Sequence, residues 1–411
     1  MSVRVERLPR SVWTRATGPR AIGMLGIGLG VLALWLVLPP FGVRTAPAPV
    51  AVGILAAAAG IWAISRGEAR LGGAAIVIAV VGIVGALLAM RASSSNLEGV
   101  FVWSALIAAT FRYATPLTFA AIGGMFSERS GVVNIGLEGM MLMGAFFGAY
   151  GADLTNSWVG GVLIGVLAGA LLAFVHAIFS IQLRADQIVT GTAINFLALG
   201  VTGYLYNQHY GNRGTPNDLP AVPDVNLTFL THIPPHGLGQ FLYESIGQLN
   251  LMVWLSLLLL PVSYVVMFKT PVGLRIRSVG EHPKAADTLG ISVYGIRYAA
   301  VTLSGALAAL GGVFLSIGFV NSFTENMTAG RGFIALAALI FGRWRPGGAL
   351  MAALLFGFST ALAQRLPVFS PSAATLFQAL PYVLTLIAVA GVVGRSTPPA
   401  ADGVPYAREG H

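Results

Sequence analysis

Residues 71–90 read LGGAAIVIAVVGIVGALLAM, twenty consecutive positions without a polar or charged side chain. At 1.5 Å of rise per residue such a helix is about 30 Å long, the thickness of a bilayer's hydrocarbon core. Outward from this stretch, further apolar runs fall near 21–40, 48–65, 100–124, 136–152, 158–181, 188–206, 248–268, 299–320, 348–365 and 376–393. One more, 332–342, is too brief for a full crossing and reads as a half-helix or a tightly packed inner helix. The pattern predicts an all-α, polytopic membrane helix bundle of 11 or 12 spans. Composition agrees, since 56% of the 411 residues are hydrophobic and 9% are charged, where a soluble domain carries about a quarter charged. The surface must face lipid.

Several chemistries are excluded by residue type. There is no cysteine, so a thiol nucleophile, a disulfide framework and a thiolate metal site are all out. Six histidines are scattered and none forms an H-E-x-x-H pair, and no nucleophile–base spacing marks an intramembrane enzyme. The two lysines, Lys269 and Lys284, do not follow a G-x-x-x-x-G loop, so there is no P-loop. If ATP drives this protein, another chain hydrolyses it. No cofactor is implied. An ion-coupled transporter usually carries carboxylates in mid-membrane. Here Glu138 and Asp186 lie near the ends of their runs, and the centres of the others lack acids.

The net charge of +9 reads as basic cytoplasmic loops rather than nucleic-acid binding. With the N-terminus inside and twelve alternating crossings, 18 basic residues fall inside and 5 outside, with Arg112 within a run. Both termini are therefore expected to be cytoplasmic, in a multi-pass protein of the cell membrane. The N-terminal arginines resemble a signal-peptide n-region, but the following run is long and the A-x-A candidate at Ala46 to Ala48 precedes Pro49, so an uncleaved anchor is expected. An arginine at mid-bilayer is costly. The expectation is that 98–111 form an outer-surface helix, that the span begins near Arg112, and that Pro116 sits in its first turns. Residues 207–247 hold five prolines and are expected to be an irregular external loop, whereas 269–298 form an internal, basic, partly helical one. Gly161, Gly165 and Gly169 share one helix face, which admits a close neighbour.

Two polar interruptions carry information. The first, 123–139, reads GGMFSERSGVVNIGLEG. Irregular backbone at membrane depth is tolerated only beside protein or a watery cavity. It is either a pore-lining segment or a cytoplasmic turn with a helix cap. Glu128 and Arg129 can neutralise each other or other partners. On a continuing helix Asn134 and Glu138, four apart, would share a face. The second, 272–291, reads VGLRIRSVGEHPKAADTLGI. Pro283 suits a first helical turn, Ala285 and Ala286 give a small face, and Gly290 can end the helix. It is either a short helix that docks in a partner's groove or a solvated connector.

The pattern Gly280, Ala285, Ala286, Gly290, Ile291 resembles the cytoplasmic coupling loop of ABC importer permeases, and with Glu281 these residues are the candidates for ATPase coupling. The stretch SERSGVVNIGLEG at 127–139, with ADQIVTGTAIN at 185–195 and AGRGFIALAALIFGRWRP at 329–346, is similar in content and order to the nucleoside branch of the branched-chain amino acid/ribose permease superfamily. The resemblance covers about 100–395. It implies a type II ABC importer permease core at 100–395, N-terminal accessory transmembrane helices at 1–99, and a Pro/Gly-rich tail at 396–411 expected to be disordered. It further implies an ABC ATP-binding subunit docked on 280–291, a second permease subunit (itself or a paralogue) and an extracytoplasmic substrate-binding lipoprotein. The implied substrate is a nucleoside or similar small polar solute; simple sugars and branched-chain amino acids are the alternatives within the superfamily. Asn134, Glu138 and Asn195 are the candidates for the substrate pathway, since amides offer both a donor and an acceptor. Asn195 can equally tie helices together.

Overall fold

A computed structural model describes residues 18–38, 41–43, 45–91, 100–216, 218–369, 374–383 and 397–407. The chain divides into two compact units, 1–103 with 362–395, and 104–361 with 396–411.

In the first unit three helices pack on one another: α1 (Pro19–Trp35), α2 (Pro47–Ser65) and α3 (Ala69–Arg91). Prolines open α1 and α2, where a missing N–H costs nothing. Glycines let their backbones touch: a side chain at Gly60 would strike the Gly72 carbonyl, and one at Gly26 would strike Ala56 and Ala75. The opposite faces expose Leu25, Ile54, Leu55, Ile61 and Leu88, as lipid demands.

The second unit runs α4 (Trp103–Arg129), α5 (Leu137–Thr155), α6 (Trp158–Ala177, continued by a π-helical turn to Gln182), α7 (Gln187–His209), a short α8 (His236–Leu242), α9 (Leu251–Lys269), α10 (Pro271–Glu281), α11 (Pro283–Thr288), α12 (Val293–Val313, continued to Val320), α13 (Arg331–Phe341) and α14 (Pro346–Ala363). Helix α5 is the hub, packed between α6, α7 and α12. The Gly161, Gly165, Gly169 face of α6 meets Gly148 and Gly144 of α5 and Val313 and Ala309 of α12, as the four-residue spacing predicts. At Gly312 a side chain would collide with the Met141 carbonyl, so α5 and α12 approach to backbone contact there.

Among the described residues eight helices are long and apolar enough to cross a membrane. Helix α5 has 19 residues but carries Glu138, Asp153 and four glycines, and it is buried rather than lipid-facing. Helices α1 and α13 are shorter apolar helices. The short run at 332–342, expected as a half-helix or a tightly packed inner helix, forms the 11-residue α13. Most of the run 376–393 lies outside the described residues.

Three expectations need correction. The surface helix expected at 98–111 is not separate over its described residues: 103–111 belong to α4, which is continuous over 27 residues with Pro116 near its middle. These 27 residues rise about 40 Å, so α4 is longer than a bilayer core of about 30 Å and overshoots it. The Arg112 guanidinium reaches the Gln248 carbonyl (3.4 Å) instead of lipid. The loop 207–247 is not wholly irregular, since β1 (Asp224–Asn226) pairs antiparallel with β2 (Gln248–Asn250) and α8 lies between them. Residues 397–407, expected to be disordered, bury Ala401 and Tyr406 against the unit. The five-fold basic N-terminus, apart from Arg20, lies outside the described residues, as do Arg395 and Arg408.

Candidate functional site

Helix α4 ends at Arg129, and 130–136 turn irregularly before α5 begins at Leu137. Gly131 permits the turn with φ +88°, a left-handed conformation other residues resist. Buried backbone without a helix must find other partners. This turn finds them in every neighbouring element. The Ser127 hydroxyl donates to the Val132 carbonyl (2.7 Å). The Val133 N–H donates to Gln187 Oε1 (2.7 Å) and its carbonyl accepts from His176 Nε2 (3.3 Å). Arg297 Nε donates to the Ser130 carbonyl (3.2 Å).

Asn134 is wholly buried in this turn, not on a helix, so the four-residue spacing to Glu138 does not place the two on one helical face. Its amide nitrogen donates to Ser304 Oγ on α12 (2.9 Å), while its Oδ1 has no partner among the described residues. Asn195 on α7 uses both ends of its amide. It accepts from the Gly139 N–H (2.8 Å) and donates to the Ile135 carbonyl (3.0 Å), clamping the turn to the start of α5.

Glu138, in the first turn of α5, has a different task. Its carboxylate accepts from the Gly330 N–H (2.7 Å) and the Gly332 N–H (2.5 Å), the free donors at the N-terminus of α13. A carboxylate there satisfies orphan N–H groups and complements the helix dipole. A side chain at Gly332 would overlap Glu138 itself, and Gly330 takes φ +84°, a left-handed conformation that favours glycine. At the other end of α13, Glu128 accepts from Trp344 Nε1 (2.5 Å), and Arg129 donates through Nε and Nη2 to the Trp344 carbonyl (3.3 and 3.1 Å). Glu128 and Arg129 thus engage one tryptophan rather than each other. The half-helix is gripped at both ends by the segment that flanks the turn.

The second interruption forms α10 and α11. Pro283 opens α11 and Gly290 follows it with φ +78°, as the sequence indicated. Of the alanine pair, Ala285 is exposed, whereas Ala286 is 2% exposed and packs with Val279, Val293 and Tyr406. A bulky residue at 286 would disturb the loop itself, so the expectation that both alanines face a partner is corrected. Gly280 is buried against the Arg129 carbonyl. Glu281 is exposed, Ile291 is half-buried beside the Val279 cluster, and Leu289 is 80% exposed.

His176, Gln187, Ser304, Trp344 and Arg297 were missed in the sequence. The available signal was weak: each is an isolated polar or amphipathic residue in or beside an apolar run, and such residues in lipid must find partners. A separate cavity of about 290 Å³ is lined by Arg112, Asp224, Asn250, Phe314, Phe319 and Asn321, beside the β1–β2 ribbon.

Residues 106–389 match the family model for the permease component of the branched-chain amino acid transport system. The chain is 44% identical over 315 residues to the guanosine ABC transporter permease protein NupQ of Bacillus subtilis, covering 74% of this chain and 97% of that protein. It is 41% identical over 311 residues to the nucleoside ABC transporter permease protein NupC of Lactococcus lactis, covering 73% and 96%. A putative glucose ABC transporter permease protein of Haloferax volcanii is 35% identical over 264 residues, covering 63% and 77%. No solved structure matches the chain. The family match begins after α1–α3.

Proposed function

The chain belongs to the branched-chain amino acid transport permease family, a multi-pass membrane family, and from that premise we propose that it is the membrane permease subunit of an ABC importer for nucleosides. The observation that carries the reading is 44% identity across 97% of a guanosine permease's length. ATP is hydrolysed by a partner subunit docked on 280–291, where Ala285 and Leu289 offer a small and an apolar contact. A second permease chain completes the pore, and an extracytoplasmic lipoprotein delivers the solute. Residues 1–99 form an accessory membrane unit.

Asn134, Glu138 and Asn195 serve transport in this reading by fixing the turn and the half-helix α13. Their polar atoms are mostly committed to other parts of the protein. A neutral solute needs a path with hydrogen-bonding groups and release that is not too slow, and the shape of that path depends on where α13 stands.

The test is uptake of labelled guanosine, other nucleosides, glucose and leucine in cells with and without this chain. Nucleoside uptake that requires the chain is expected. Uptake of glucose or leucine alone would remove the substrate assignment and leave the permease reading. Orientation is tested with single cysteines. An impermeant thiol reagent applied outside should label Phe229→Cys in the loop expected to be external, and not Leu289→Cys. Both positions are exposed, and Asn217, also in that loop, lies outside the described residues. The opposite labelling would invert the proposed orientation of both termini.

A further inference from the structure

The coupling loop and the α4–α5 turn are joined by a third segment, residues 397–407. The Ala401 N–H donates to the Gly280 carbonyl at the end of α10 (2.9 Å), and the Ala400 N–H donates to the Glu281 carboxylate (3.2 Å). The same stretch lies on the turn: a side chain at Gly131 would come within 3.0 Å of the Ala401 carbonyl, and one at Gly403 within 3.4 Å of Val133. Arg297, 1% exposed, bridges the two, donating through Nε to the Ser130 carbonyl (3.2 Å) and through Nη1 to the Val404 carbonyl (3.1 Å). Tyr406 is buried among Val279, Ala286 and Val293, its ring 5.7 Å from that of Tyr294, whose hydroxyl donates to the Tyr406 carbonyl (3.3 Å).

We infer that residues 397–407 are a positioning element that fastens the ATPase coupling loop to the turn carrying Asn134, so that movement of the loop reaches the pore helices. This rests on the reading of 280–291 as the docking site for an ATP-binding subunit. The segment touches α10, α11, α12 and the turn at once. A plug would cover the docking face, but this segment packs on the inner side and leaves Ala285 and Leu289 exposed. A buried guanidinium is costly unless its donors are met. Removing the segment takes the Val404 acceptor from Arg297 and the Tyr406 ring from the cluster beneath Ala286.

The experiment uses the complete importer in proteoliposomes, reading co-purification of the ATP-binding subunit, ATP hydrolysis and guanosine uptake. Deleting 398–411 should leave subunit association and hydrolysis within about twofold while uptake per ATP falls at least fivefold. Tyr406→Ala should fall in the same direction and Tyr406→Phe should stay near the unmodified chain; these variants keep the test open should the deletion fail to insert. An unchanged or increased uptake per ATP, in the deletion or in Tyr406→Ala, would overturn the inference. If no ATP-binding subunit co-purifies even with the full chain, the permease reading fails, which is a distinguishable result.

Discussion

The two units keep polar groups in opposite ways. Helices α1–α3 meet through glycine and alanine, and their Arg20–Glu68 ion pair (2.6 Å) sits at the surface, with Arg20 79% exposed. The second unit buries Glu128, Asn134, Glu138, His176, Gln187 and Arg297. Most of their hydrogen bonds end on one turn or on the half-helix beside it. Burying polar groups among apolar helices is expensive unless they are paired, so such a cluster persists only where the arrangement is needed. Close packing of small residues holds helices together in lipid. A polar cluster in addition fixes irregular backbone.

The contrast predicts where substitutions matter. The largest effect is expected at Glu138→Ala, which strands the Gly330 and Gly332 N–H groups at a cost of about 1–3 kcal/mol each. Membrane abundance should fall and uptake should drop below a tenth. Asn195→Leu should do less, lowering uptake several-fold beyond any loss of abundance. Uptake that tracks abundance in both variants would reduce these residues to packing, and the two units would no longer differ in kind.

A smaller effect concerns pH. Burial pushes the Asp402 carboxyl up to about 7, against the pull of Arg297 and the Gly403 N–H. The groups that face it are Arg297 and Glu128. With the docked value raised above the ordinary 3.8, the docked segment holds a proton that a released one gives up. The contribution of Asp402 to docking is therefore full below about pH 4, is lost as pH rises toward 7 and is flat above. The protection of 397–407 against hydrogen exchange, taken relative to the intrinsic rate at each pH, should be greater at pH 6 than at pH 8, and Asp402→Asn should remove the difference. Equal protection at both values in the unmodified chain would contradict this.

The smallest effect is expected at Arg20→Ala. An exposed ion pair is worth about 0–1 kcal/mol, so abundance and uptake should be unchanged. A large loss there would show that the first unit also depends on a polar tie.

The apolar runs and the half-helix α13 were legible because lipid leaves a length and composition signature. The irregular turn was legible as an interruption, and Gly290 as a helix stop. The partners were not. Glu138 meets Gly330 and Gly332 across 192 and 194 positions, and Asn195 meets Gly139 across 56. No local rule reaches so far. The helical spacing of Asn134 and Glu138 misled because α5 starts at Leu137. The tail read as disordered from its prolines and glycines, yet Arg297 and Tyr294 supply its partners from a hundred residues away.

The central claim is that ATP hydrolysed on another chain drives a nucleoside through this one. The direct measurement is guanosine uptake by proteoliposomes of the whole complex at a fixed ATP concentration, with and without a protonophore. Uptake that continues with the protonophore and stops when ATP is replaced by a non-hydrolysable analogue is predicted. Uptake that ignores the analogue and collapses with the protonophore would contradict the account and identify an ion-coupled transporter.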